Sequence, residues 1–179
     1  MRAEWAPKET LELLLTAMMP ANRLAIRASM ATGLRIGDVL AFKTAQVRQQ
    51  RWTVKEQKTG KLRRVYLPAK LCEDILAQAG RIWAFEGRSD AKKHRTRDAV
   101  YKDLRRVATL YRVDGKKLVE HISPHSARKV YAVEAYQKTR SLRKVQELLN
   151  HEDEAVTMLY ALADVLTARN HGAKMGERA

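Results

Sequence analysis

The sequence predicts an α+β domain, mainly α-helical, with one small antiparallel β-sheet of three strands at its side. Three observations predict it. Apolar residues recur at helical spacing along the long segments of the chain except one. The exception, residues 47–67, holds two alternating runs rich in β-branched side chains, on either side of the turn Lys58-Thr59-Gly60-Lys61. The length, 179 residues with 45% hydrophobic side chains, suits a single domain with a sizeable core.

Each element has its own signal. A first helix over 7–19 starts near Pro7 and shows Leu11, Leu14, Leu15 and Met18 on one face; Pro20 is expected to end it. A second helix covers 22–32, Gly33 stops it, Arg35 lies just past the turn, and a third, short helix follows. Helix-Gly-helix is the outline of a helix-turn-helix DNA reader, and equally of an ordinary corner with a solvated arginine. In the β segment, Arg51 to Gln57 and Leu62 to Leu67 form a hairpin closed by Pro68, and Val47 with its neighbours is expected to add a third short strand. The lysines at the hairpin tip suit a phosphate backbone, and they also protect an edge from aggregation.

Residues 70–84 read as a helix with Leu71, Ile75, Leu76, Ala79 and Ile82 as its buried stripe. Residues 85–96 read as a solvated loop whose charge run is Lys92, Lys93, His94 and Arg95, continued by Arg97. Thr96 caps a helix through Tyr111, with Val100, Leu104, Val107, Ala108 and Tyr111 facing inward. After a turn at Asp114-Gly115, Ser123 as N-cap and Pro124 at the first position open a central helix that runs through Tyr136. Ser141 caps a short helix ending at Leu149, and Asn150-His151 makes a corner. A last long helix over 152–167 carries Val156, Leu159, Tyr160, Ala163 and Leu166. The polar stretch 168–179 is a tail, so the expectation is one domain, core 1–167 and tail 168–179, with no internal linker.

Charge narrows the partner. Lysine and arginine number 35 against 20 acids, a net +15 that points to a polyanion. The single cysteine, Cys72, excludes an internal disulfide and a cysteine-based zinc site. The first seven residues contain no apolar signal core, and the apolar run at 13–20 is far too short for a membrane span, so a cytoplasmic protein is expected.

One short stretch suggests chemistry. His125 and Arg128 are three apart at the start of the central helix, so they share a face. An imidazole beside a guanidinium at the positive end of a helix suits an oxygen of a phosphate. Such a site still needs a second arginine, a nucleophile and a proton donor for the leaving group. His121 lies four before His125, but Pro124 between them breaks the geometry a zinc pair needs, and no metal site is expected.

In chain order the sequence offers Thr32-Gly33-Leu34-Arg35-Ile36-Gly37-Asp38, then Lys58-Thr59-Gly60-Lys61 in a hairpin, then His125-Ser126-Ala127-Arg128. Leu148-Leu149-Asn150-His151 follows, with Tyr160 nine residues further on. Together these motifs resemble the catalytic domain of the tyrosine recombinases, the phage integrase family, over nearly the whole chain. The resemblance implies a role for each residue. Arg35 and Arg128 clamp the non-bridging oxygens of a scissile phosphate. Tyr160 attacks phosphorus, leaving a 3′-phosphotyrosyl link and a free 5′-hydroxyl. Lys58 protonates the leaving oxygen; Lys61 shares the turn, and Lys58 is favoured because the family places this lysine just before the turn residues. His125 assists proton transfer at the tyrosine, His151 hydrogen-bonds the phosphate, and Asp38 braces an arginine or a histidine from behind. Asn150 stands where the family most often has glycine, and asparagine tolerates the same left-handed geometry.

The resemblance implies further properties. The family uses no catalytic metal and no cofactor. Its partner is double-stranded DNA, on which four subunits assemble, the segment after the nucleophile passing to a neighbour. Whether an accessory DNA-bending protein joins is left open. The chain begins about where the catalytic domain begins, so the N-terminal helical domain that closes over the other face of DNA is expected to be absent. A nucleoid-associated protein of bacterial or phage origin is implied, acting in site-specific recombination. Two rivals remain: a type IB topoisomerase that relaxes supercoils with the same residue types, and a catalytically silent DNA-binding regulator. Taken singly, a tyrosine such as Tyr160 on an apolar helix is more often a core residue, as Tyr131 and Tyr136 are read to be.

Overall fold

The computed structural model describes residues 6–149. His151, Tyr160, the last helix expected over 152–167 and the tail lie outside the described residues. Backbone contacts divide the chain into two compact units, Met1–Tyr131 and Ala132–Ala179.

In the first unit the opening helix is α1 (Lys8–Thr16), which buries Leu11, Leu14 and Leu15. It stops at Thr16, whose hydroxyl donates to the Leu13 carbonyl at 2.6 Å. Pro20 does not end this helix; it is the first residue of α2 (Pro20–Thr32). A proline lacks the N–H that a first helical position leaves unused, and its fixed φ is already helical, so it opens a helix as readily as it stops one. Gly33 then caps α2 with φ +67°, its N–H donating to the Ser29 carbonyl at 2.8 Å. Only glycine fits here, because a Cβ would also run into the ring of Tyr131. The short helices α3 (Ile36–Leu40) and α4 (Thr44–Arg48) follow.

The mainly helical α+β class holds, but the expected third strand does not form. Val47 is a buried residue of α4, and the sheet has two strands, β1 (Arg51–Lys55) and β2 (Leu62–Tyr66), paired antiparallel from Arg51↔Tyr66 to Lys55↔Leu62. The helix prevails around Val47 because the Gln46 side chain reaches back to accept the Lys43 N–H at 2.9 Å, closing the first turn. A second, two-residue ladder joins β3 (Arg112–Val113) to β4 (Lys116–Lys117) across the Asp114-Gly115 turn.

Helix α5 (Ala69–Leu76) is shorter than its apolar spacing predicts, and Ile82 is 44% exposed. Residues 77–79 extend the last turn with bonds to the carbonyls of 73–76, and residues 82–84 run back against 42–44. Ala84 N–H donates to the Phe42 carbonyl at 2.9 Å, Thr44 N–H donates to the Ile82 carbonyl at 3.1 Å, and the Lys43 ammonium sits 3.1 Å over the Trp83 ring. The following loop is also more than solvated charge. Glu86 bridges His94, and Arg95 N–H donates to the carbonyl of the fully buried Phe85 at 2.7 Å. Thr96 caps α6 (Arg97–Leu110), accepting from Ala99 N–H, and the expected face of Val100, Leu104, Val107 and Ala108 is buried.

α6 is fastened to the α1–α2 turn by one buried carboxylate. Asp103 accepts from Met19 N–H at 3.0 Å, Asn22 Nδ2 at 2.8 Å and Arg106 Nη2 at 2.7 Å. Burial pushes this carboxyl up, but the bonds from Asn22, Arg106 and Met19 outweigh it, and its pKa lies below the usual aspartate value.

The central helix is α7 (His125–Thr139), and its first turn belongs to the first unit. In the second unit, α7 closes with Arg140 at φ +51°, whose N–H donates to the Tyr136 carbonyl at 2.7 Å. Ser141 Oγ accepts from Lys144 N–H at 3.3 Å and so opens α8 (Leu142–Leu149), as its sequence position predicts. No helix among the described residues is long and apolar enough to cross a membrane.

Candidate active site

Two turns carry Arg35 and Arg128. Arg35 is the N-cap of α3, two residues after the left-handed Gly33. The turn that delivers it is braced inside: Ser29 Oγ donates to the Leu34 carbonyl at 2.7 Å and Thr32 Oγ1 to the Ala28 carbonyl at 2.7 Å. Arg128 lies in the first turn of α7, whose start is fixed by His125 N–H donating to Ser123 Oγ at 3.2 Å. That bond is the serine cap the sequence predicts.

Arg35 and Arg128 are distant in sequence, yet both line one open cleft of about 280 Å³, together with Asp38, Lys58, Arg97 and His125. Lys58 projects from the exposed tip of the hairpin; Lys61, its rival at the same turn, does not line the cleft. Arg128 is 1% exposed, a cation held almost wholly inside the protein. Concentrated guanidinium groups beside a helix N-terminus make the cleft suited to a tetrahedral oxyanion.

Two buried carboxylates serve the cleft, Asp38 in its wall and Glu56 behind it. Asp38 accepts Gln57 N–H at 2.9 Å through Oδ1, so it grips the residue immediately before Lys58; its Oδ2 has no hydrogen-bond partner among the described residues. Burial, reinforced by the charge of Glu56, raises the Asp38 pKa above the usual aspartate value, against the pull of the Gln57 N–H and of the Arg35 and Arg128 charges. Glu56 is fully buried and accepts from Arg35 Nη1 at 2.9 Å.

Of the residues singled out from sequence, Arg35, Asp38, Lys58, His125 and Arg128 therefore surround one cleft, and His151 and Tyr160 lie outside the described residues. Two neighbours were missed. Arg97 was read as part of a solvated charge run, but as the first residue of α6 it faces the cleft, its Cδ 3.4 Å from where a Cβ on Gly37 would stand. Glu56 lies within the run Arg51 to Gln57, where nothing in the strand pattern sets it apart. The available signal was that it is the single acid in the hairpin 51–66.

The sequence matches the model of the phage integrase family over residues 4–165. It is 26% identical over 149 residues to the Bacillus subtilis (strain 168) protein named "Probable integrase/recombinase YoeC", covering 77% of this chain and 75% of that protein. It is also 26% identical over 167 residues to the tyrosine recombinase XerC of Bifidobacterium longum (strain DJO10A), covering 87% of this chain and 47% of that one. The chain thus spans about half the length of the XerC relative. Among solved structures, the fold is similar to XerH site-specific recombinase bound to palindromic difH substrate in a post-cleavage complex, with TM-score 0.67 and 22% identity over 98% of this chain and 54% of that one. It is similar also to the lambda integrase tetramer bound to a Holliday junction, with TM-score 0.67 and 17% identity over 88% and 48% of the two chains.

Proposed function

Because the chain belongs to the phage integrase family, we propose that it cuts and rejoins DNA strands at specific sites through a covalent bond to Tyr160. The observation that carries this reading is the single cleft lined by Arg35, Lys58, His125 and Arg128. In the proposed step the Tyr160 oxygen loses its proton, with help from His125, and bonds to phosphorus. The bond from phosphorus to the 5′-oxygen breaks, and Lys58 protonates that oxygen. Arg35, Arg128 and His151 hold the non-bridging oxygens, where negative charge grows in the transition state. Asp38 acts through the hairpin, by fixing the peptide next to Lys58. The phosphotyrosyl bond conserves the energy of the broken one, so the free 5′-hydroxyl reverses the step without ATP.

The partner is double-stranded DNA, in keeping with the net charge of +15. Assembly of several copies on paired sites is part of the proposal; the lambda integrase neighbour was solved as a tetramer on a Holliday junction. The names of the relatives favour recombination over simple relaxation. The test is a covalent trap. A nicked duplex, carrying a site selected from a random pool by retention on the chain, is incubated with the protein and run on a denaturing gel. A band shifted by the mass of the protein and lost in Tyr160→Phe supports the reading. Tight binding with no shifted band supports a silent regulator, and relaxation of any supercoiled plasmid supports a topoisomerase.

A further inference from the structure

We infer that Glu56 is a positioning residue that sets the plane of the Arg35 guanidinium before DNA arrives; the inference rests on the phosphodiester reading above. Glu56 directly follows β1, and its backbone closes the hairpin turn from both sides. Its N–H donates to the Lys61 carbonyl at 2.9 Å, and its own carbonyl accepts from Gly60 N–H at 2.8 Å. The carboxylate therefore stands on a fixed stem. It accepts from Arg35 Nη1 at 2.9 Å and from Thr59 Oγ1 at 3.4 Å, and its other oxygen lies 3.7 Å from Arg63 Nη1. Arg63 in turn donates to the carbonyl of Thr32, just before the Gly33 turn that delivers Arg35. One buried acid thus ties that turn to both strands of the hairpin.

Glu56 does not line the cleft, so its effect on a bound phosphate has to pass through a neighbour. Two features choose Arg35 as that neighbour. The Glu56–Arg35 contact, at 2.9 Å, is shorter than the Glu56–Arg63 contact at 3.7 Å, and Arg35 faces the cleft whereas Arg63 does not. A buried carboxylate beside two guanidinium groups is stable only while those cations stay in place. A planar guanidinium held at one nitrogen by a buried, fixed carboxylate is restricted in its rotation, which is the preorganisation that phosphate recognition rewards.

The experiment measures single-turnover adduct formation by the full chain on the selected nicked duplex. One substrate carries a normal scissile phosphate. The other carries a 5′-bridging phosphorothiolate, whose sulfur leaves without a protonating lysine. Glu56→Gln is expected to slow adduct formation about 10–100-fold on both substrates, the usual range for a supporting partner, while retention of the duplex is unchanged. Glu56→Asp recovers part of the rate, and Glu56→Gln adds no further loss to Arg35→Ala. In the ¹⁵N spectrum of the DNA-free parent, rotation of the Arg35 Nη groups is slow, and in Glu56→Gln it is fast. A parental rate in Glu56→Gln, a defect cured by the phosphorothiolate, or losses that multiply in the double variant would each overturn the inference. If Glu56→Gln does not fold, fast rotation of Arg35 in the parent overturns it and slow rotation supports it. Absence of any adduct from the parent removes the proposed function itself, and the inference with it.

Discussion

The protein contains two places where buried aspartate meets arginine, and they are built to opposite specifications. Asp103, on α6, is saturated: a backbone N–H, an asparagine amide and an arginine fork together hold its pKa below the usual value. Asp38, beside the cleft, accepts one backbone N–H, keeps an oxygen with no hydrogen-bond partner among the described residues, and has its pKa raised by burial. The same residue types give a latch in one place and a charged, under-satisfied wall in the other. The difference teaches that the polar groups that fasten the fold and those that line the candidate site are separated within the first unit. The α1–α2–α6 junction spends its polar groups on one another, whereas the cleft gathers Arg35, Lys58, Arg97, His125 and Arg128 along its lining.

Variants can break or sharpen this contrast. The largest effect is expected from Arg128→Ala, which removes a proposed donor to the developing oxyanion and should slow adduct formation about 10²–10³-fold in a single-turnover assay. Next comes Asp103→Ala, which strands the Asn22 amide and the Met19 N–H. It should lower stability by about 3 kcal/mol in urea unfolding, while the cleavage rate of the folded fraction stays at the parental value. Asp38→Ala should show the reverse balance. Its adduct formation falls about 10-fold as the Gln57 grip on the lysine turn is lost. Its stability falls by less than about 1 kcal/mol, because relief of a buried charge offsets the lost hydrogen bond. Equal stability losses at the two aspartates would erase the contrast.

The smallest effect, and the most diagnostic in sign, is on pH dependence. Asp103 titrates below the usual aspartate range when folded, so its contribution is complete above that range and is lost as pH falls from the usual value toward the lowered one. Asp38 titrates above that range, so the folded chain loses stability as pH rises from the usual value to the raised one. Urea unfolding across the acid range should therefore show that Asp103→Asn flattens the low-pH loss. Asp38→Asn should remove a decline that lies at higher pH. Matching changes of slope in the two variants would contradict these assignments.

Much of this architecture was legible because it rests on local chemistry. Gly33 needs a left-handed turn, Ser123-Pro124 starts a helix, and Thr96 and Ser141 cap theirs; each signal acts within a few residues. What misled was local ambiguity. Pro20 serves a helix start as well as a stop, Val47 suits a helix as well as a strand, and the apolar spacing up to 84 mimics a helix although the backbone of Ile82 and Ala84 bonds to 42–44. Within the site, Arg35, Lys58, His125 and Arg128 were legible as a set because their motifs come in order. Glu56 and Arg97 were not. An acid after a strand and an arginine after a charge run gain meaning only from partners far along the chain, Arg35 for one and the cleft for the other.

The central claim is that the arginine-lined cleft presents one phosphodiester to a single tyrosine. The most direct measurement is to digest the trapped protein–DNA adduct and locate the nucleotide-bearing residue by mass spectrometry. The account predicts one modified peptide, with the 3′-phosphoryl nucleotide on Tyr160, and its loss in Arg35→Ala and Arg128→Ala. A nucleotide on Tyr131, on Tyr136 or on a serine, or an adduct whose yield ignores both arginines, would contradict it.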